Sequence, residues 1–146
     1  MVKGENIKTA FFRVNPIGHI RKNDDQVTVE ILEYYQDALL GLEGFSHIIV
    51  FSWFHENDIP EKRKTLRVHP RGDKANPLTG VFATRSPARP NPIAITTCKI
   101  LSIEKNIIYI DKIDSFDNTP VIDIKPLLSY EDPGDEFRVP DWINKK

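Results

Sequence analysis

Ser46-His-Ile-Ile-Val-Phe-Ser-Trp-Phe-His55 is almost entirely apolar and β-prone. Continuous hydrophobicity over strand length predicts a strand buried on both faces. Alternation places His47, Ile49, Phe51, Trp53 and His55 on one face, and Ile48, Val50, Ser52 and Phe54 on the other. His47 is expected to be a core histidine whose ring nitrogens are satisfied locally. His55 differs, because it ends the run beside Glu56 and a polar loop. Sites are commonly built at such strand ends.

Outward from that run, the chain reads as further short strands. Ala10 to Val14 is strand-like, interrupted at Asn15-Pro16 and resumed from Ile17 to Arg21. Asn23-Asp-Asp25 marks a turn, after which Val27, Val29 and Ile31 alternate with polar residues. Asp37 is expected to cap the only helix of the first half, with Leu39, Leu40 and Leu42 as its apolar face. A short strand follows through Leu66 and Val68, then four strand-like residues, Val81 to Thr84. Ile93 to Ile103 is the longest strand candidate, and Ile107–Ile110 and Val121–Leu128 complete the set. Ala94, Thr96 and Cys98 make one face of the long strand small, leaving room for a ligand or a close neighbour. About seven short strands with one or two short helices predict a mainly β protein, a single-domain barrel over residues 1–146. Closure is favoured over an open sheet because it removes exposed edges. Residues 129–146 read as an acidic tail packed on the body, with Phe137, Val139 and Trp142 as anchors.

The composition narrows the function classes. Hydrophobic content of 40% and charged content of 28% are those of a soluble globular protein. No apolar run approaches the roughly 18 residues of a membrane span, and Met1 to Asn6 lacks a signal-peptide core. A cytoplasmic protein is expected. Cys98 is the only cysteine, which excludes an internal disulfide and a cysteine-based zinc site. His19, His47, His55 and His69 have no compact metal-ligand spacing, so no metal is expected. There is no phosphate-binding glycine loop and no Gly-x-Ser-x-Gly elbow. Charge is unevenly spread: Glu61 to Arg89 holds eight basic residues and two acidic, Asp111 to Asp141 nine acidic and three basic. Either the two segments neutralise each other across the fold, or an anionic partner such as nucleic acid meets the first. In the second case Lys62, Arg63 and Lys64 are candidate phosphate contacts.

Gly80-Val-Phe-Ala-Thr-Arg-Ser-Pro-Ala-Arg-Pro-Asn-Pro-Ile93 carries two arginines and three prolines in one loop. Each proline fixes its own φ and restricts the residue before it. The loop is therefore either an arginine-rich surface turn or a rigid frame that holds Arg85, Arg89 and Asn91 in fixed directions to meet a ligand. Asp111, Asp114, Asp117 and Asp123 stand at strand ends. Carboxylates facing arginines across a pocket would suit a ligand carrying both charges.

That loop resembles the signature of the TrmO family, also called TsaA-like or YaeB-like. Five further blocks support the resemblance in order: Pro16-Ile-Gly-His-Ile-Arg21, Gly41-Leu-Glu-Gly-Phe-Ser-His47, Trp53-Phe-His55, His69-Pro-Arg-Gly-Asp73 and Asn118-Thr-Pro-Val-Ile-Asp-Ile-Lys-Pro126. It implies a β-barrel methyltransferase using S-adenosyl-L-methionine (SAM), a homodimer with cofactor near the subunit interface. The implied reaction is methylation of the exocyclic N6 of threonylcarbamoyladenosine at position 37, in the anticodon loop of tRNA. By resemblance, cofactor contacts fall on His55, Glu56, Arg85, the backbone of Ile95, and Asp111-Lys112-Ile113-Asp114. Arg89, Asn91 and Arg71 are candidate substrate contacts, and Asp117 and Asp123 are candidates for a catalytic base. Asn118 stands where the family usually has glycine, and Ala94 where glycine is common. The segment after Arg21 is shorter than in bacterial members, and their extra C-terminal domain is not expected here. Two alternatives stay open: a non-catalytic SAM- or nucleotide-sensing module, and a SAM methyltransferase with a non-tRNA acceptor.

Overall fold

In the computed structural model, which describes residues 10–144, six strands close on themselves as an antiparallel barrel. The Met1–Asn6 stretch and the last two residues of the tail lie outside the described residues. The barrel strands are β1 (Gly18–Lys22), β2 (Val27–Ile31), β3 (His47–Trp53), β6 (Ile93–Glu104), β7 (Ile107–Ile110) and β8 (Pro120–Pro126). Their order around the barrel is β1-β2-β7-β6-β3-β8, with β8 returning to β1. Two very short strands, β4 (Arg67–Val68) and β5 (Thr79–Gly80), pair separately. They bring the start of the proline-arginine loop alongside Leu66 to Val68, just after the Pro60–Arg63 helical turn, α1.

The period-two pattern explains why these segments close. Ile20, Val29, Ile48, Val50, Ile108 and Val121 are fully buried on the inner faces, joined by Cys98 and Ile110. Each such side chain contributes about 1.5–3 kcal/mol by leaving water. The three ion pairs seen among the described residues join exposed or half-exposed groups, each worth about 0–1 kcal/mol. The aliphatic interior therefore holds the barrel. No helix among the described residues is long and apolar enough to cross a membrane.

Several local expectations are corrected. β3 is fully buried only on its inner face, Ile48, Val50 and Ser52; the outer face is half-buried. His47 lies on that outer face and is not a core histidine; its Nδ1 pairs with Ser46 Oγ at 2.7 Å. Ala10 to Val14 forms no strand, because β1 already takes β2 and β8 as its two neighbours. Val81–Ala83 is a 3-10 turn rather than a strand, closed where the Thr84 hydroxyl donates to the Val81 carbonyl at 2.8 Å. The expected helix is a 3-10 segment, Glu33–Leu39, preceded by Leu32, with Asp37 inside it rather than capping it. Other 3-10 turns follow at Leu42–Gly44 and His55–Asn57, so it is not alone in the first half. In the tail Trp142 is half-buried, whereas Phe137 and Val139 are 65% and 36% exposed.

Asn118 adopts φ 68, the left-handed conformation that asparagine tolerates where glycine is absent. Its Oδ1 accepts from Arg21 Nη1 at 2.7 Å, and its backbone N–H donates to the Ile20 carbonyl. This turn presents the 114–119 loop at one end of the barrel.

Candidate functional site

Three segments converge on a cavity of about 360 Å³, within the range of small-ligand sites. The first is the end of β3, where the chain turns through Phe54 into His55–Asn57. The Phe54 N–H donates to the Pro92 carbonyl at 2.7 Å, tying this turn to the second segment. That second segment is the proline-arginine loop and the start of β6. Arg89 Nη1 donates to the Thr84 and Ser86 carbonyls at 3.1 and 3.2 Å, while the Ala88 N–H donates to Ser86 Oγ. Arg85 Nη1 reaches the Ile95 carbonyl at 3.3 Å. The third segment is Asp114 to Thr119, braced where Lys22 N–H donates to Asp117 Oδ1 and the buried Thr119 hydroxyl donates to the Phe116 carbonyl.

His55, Glu56, Arg85, Arg89, Ile95 and Asp114 all line this cavity. Ala94 and Thr96 line it too, so the small face of β6 does leave room there. Trp53, Asn57, Ser115, Phe116 and Thr119 also contribute, and sequence reasoning did not single them out as ligand contacts. Their proximity to His55 and Asp114 in the chain was the available signal. Glu56 and Asp114 have no side-chain hydrogen-bond or ion-pair partner among the described residues. Arg85 uses one weak contact and keeps most of its five N–H donors.

The other candidates lie elsewhere. Asp111 accepts from the Lys99 N–H at 2.9 Å, and the Asp111 N–H donates to the Lys99 carbonyl at 3.2 Å. The Lys99 N–H, foremost, holds the Asp111 carboxyl below the usual range. Asp111 and Lys112 are exposed off the cavity, and Ile113 is a core residue. Asp117 is exposed and Asp123 faces a separate apolar cavity with Leu39, Leu42 and Phe45. Asp123 accepts from the Ile124 N–H and pairs with Lys125 at 3.5 Å. Asn91 is exposed outside the cavity wall, and Arg71 donates to the Ile143 carbonyl at 2.7 Å, holding the tail. Of the basic triplet, Lys62 binds Asn57 Oδ1 and Arg63 binds Asp58 and the Pro90 carbonyl, leaving Lys64 exposed.

A Methanocaldococcus jannaschii protein named "Probable S-adenosyl-L-methionine-binding protein" is 53% identical over 114 residues, 78% of this chain and 90% of that one. The mouse protein named tRNA (adenine(37)-N6)-methyltransferase is 40% identical over 116 residues, 78% of this chain but 24% of its own length. A crystal structure of TrmO from P. aeruginosa superposes with a TM-score of 0.70 at 28% identity, covering 94% of this chain and 64% of that one. This chain thus spans less than two thirds of the TrmO chain it resembles. Residues 8–133 match the model of the tRNA-methyltransferase O N-terminal domain, and the chain belongs to that family.

Proposed function

We propose that this protein is a SAM-dependent tRNA methyltransferase whose cofactor site is the cavity at the end of β3. The observation that carries this is the convergence of unpaired Glu56 and Asp114 with Arg85 on one cavity, beside the indole of Trp53, in a chain of this family. SAM carries an ammonium, a carboxylate and a sulfonium together with an adenine ring, so it needs acidic, basic and aromatic surface in one place. The residues present fit that demand. When bound, the cofactor would supply a sulfonium methyl group: the N–C bond would form in line as the C–S bond breaks, with the electron pair leaving on the sulfur.

In this reading Arg85 holds the amino-acid carboxylate with its free guanidinium donors. Asp114 and Glu56 take the ammonium or the ribose hydroxyls. Ile93, Ala94 and Ile95 present an aliphatic wall that excludes water from the methyl group. Alignment supplies much of the rate, and no strong base is required, since the acceptor nitrogen releases its proton after attack. Asp117 and Asp123 are engaged by backbone N–H groups, and neither lines the cavity. Phe116, 71% exposed at the cavity wall, offers a stacking face to an unpaired base splayed from a loop.

We further propose that the acceptor is N6 of threonylcarbamoyladenosine at position 37, that residues 1–146 act as one domain in the cytoplasm, and that two copies pair. Ile93 and Ile95 on the outer face of β6, 38% and 39% exposed, support the pairing. Labelled SAM with total tRNA tests the activity, using tRNA lacking the threonylcarbamoyl group as control. Incorporation only into the modified pool supports both enzyme and acceptor. Incorporation into both pools keeps the enzyme and removes the acceptor. SAM binding without incorporation would point to cofactor binding alone, the property in the Methanocaldococcus jannaschii relative's name.

A further inference from the structure

Arg63 ends α1, is half-buried and does not line the cavity. Its guanidinium nevertheless meets three groups at the cavity's back. Nε pairs with Asp58 Oδ1 at 2.5 Å, Nη1 donates to the Pro90 carbonyl at 2.9 Å, and the guanidinium carbon lies 5.6 Å from the Trp53 ring centroid. Trp53 closes the circuit by donating its Nε1–H to Asp58 Oδ2 at 3.1 Å. Trp53 lines the cavity, and Pro90 directly follows Arg89, which lines it too.

We propose that Arg63 is a positioning residue that clamps the proline-arginine loop onto the end of β3, so that Trp53 and the loop arginines face one cavity. An isolated surface ion pair would do little. Here a planar fork spans a carboxylate, a carbonyl and an aromatic face in three directions, which a lysine ammonium on its flexible stem cannot do. The Asp58 carboxyl is held below its ordinary range, first by Arg63 and then by the Trp53 N–H, in agreement with one connected network. Within Thr84 to Arg89 the loop's hydrogen bonds run between neighbours. Outside that span Arg85 reaches the Ile95 carbonyl, and the Val81 N–H donates to the Leu66 carbonyl at the loop's start. Arg63 is therefore a tie from that loop to residues distant in sequence, alongside the Phe54–Pro92 backbone bond.

The role in ligand affinity rests on the cofactor reading above, and the clamp itself does not. The test uses the full chain with Arg63→Gln and Arg63→Lys. Amide hydrogen exchange is read at Ala88, Arg89 and Asn91, Trp53 emission in a Trp142→Phe background, and SAM affinity by calorimetry. Arg63→Gln should raise loop exchange and SAM Kd by about tenfold, the scale of one or two lost hydrogen bonds. Trp53 emission should shift as its cation and anion partners separate. Arg63→Lys keeps the charge beside Asp58 but loses the fork, and should loosen the loop equally. Unchanged loop exchange in Arg63→Gln overturns the clamp. A loosened loop with unaltered SAM affinity overturns the positioning role. If the unsubstituted protein binds no SAM, the cofactor reading fails, and loop exchange with Trp53 emission still decides the clamp.

Discussion

Gly18 stands against Glu30 so closely that a Cβ on Gly18 would lie 2.2 Å from the Glu30 carbonyl oxygen. The contact is backbone on backbone between β1 and β2, where Gly18 pairs with Ile31. Neither side has a flexible tip that could move aside. Gly18 also pairs with Val121 of β8, so it sits where the barrel closes. Gly18→Ala should therefore destabilise the fold by about 3 kcal/mol, the upper end of ordinary overpacking. Urea unfolding measures this, and a loss below about 1 kcal/mol would mean that the strands can part there without cost.

Cys98 is 1% exposed, and burial, with a smaller contribution from Asp111, pushes its thiol up to about 11 from 9.0. Between those values the unfolded chain releases the proton and the folded one keeps it. Stability is then fully present below pH 9 and falls as pH rises toward 11. The loss amounts to about 2–3 kcal/mol at 1.36 kcal/mol per pH unit. Cys98→Ala should flatten this alkaline limb of the unfolding curve. Alkylation at pH 8.5 should be slow in the native protein and fast in denaturant.

The barrel was legible because its strands alternate. Val27, Val29 and Ile31, set between Thr28 and Glu30, share one face only in a strand. What stayed hidden depends on partners remote in sequence. Val81 to Thr84 has strand-forming residues, yet the Thr84 hydroxyl returns to the Val81 carbonyl and turns the chain. Ala10 to Val14 has the pattern of a strand but no free neighbour. At the site, one cavity gathers His55, Glu56, Arg85 and Asp114 from three separate segments. Asp111 and Asp114 were indistinguishable in sequence, because only the pairing of Lys99 with Asp111 shows which carboxylate is occupied. The same holds for Lys62, Arg63 and Lys64, of which two are bound within the fold.

The two aspartates should separate in experiment. Asp114→Asn removes an unpaired carboxylate at the cavity and should raise SAM Kd about tenfold, with the unfolding midpoint nearly unchanged. Asp111→Asn should leave SAM affinity intact and act on stability. Because the Asp111 carboxyl is held below its usual 3.8, its stabilisation is present above that value and lost as pH falls through the lower, folded-state value. The Asp111→Asn protein should therefore show a weaker acid dependence below pH 4. Calorimetric titration and acid unfolding of both variants check the pair, and a SAM defect in Asp111→Asn alone would reverse the assignment.

The exposed cations left after the clamp is formed are the better test of RNA contact. Lys64 and Arg67 are exposed, next to α1 and on β4, and neither side chain forms a hydrogen bond or ion pair among the described residues. Substituting Lys62 or Arg63 would disturb Asn57, Asp58 and Pro90 as well, and would mix folding with binding. Replacing Lys64 and Arg67 together by glutamine should weaken tRNA binding at low salt and leave SAM affinity unchanged. The slope of log affinity against log salt should fall by about one for each phosphate contact removed. An unaltered slope would place the RNA on another face, and equal loss of SAM and tRNA binding would mean that the variant had loosened the fold.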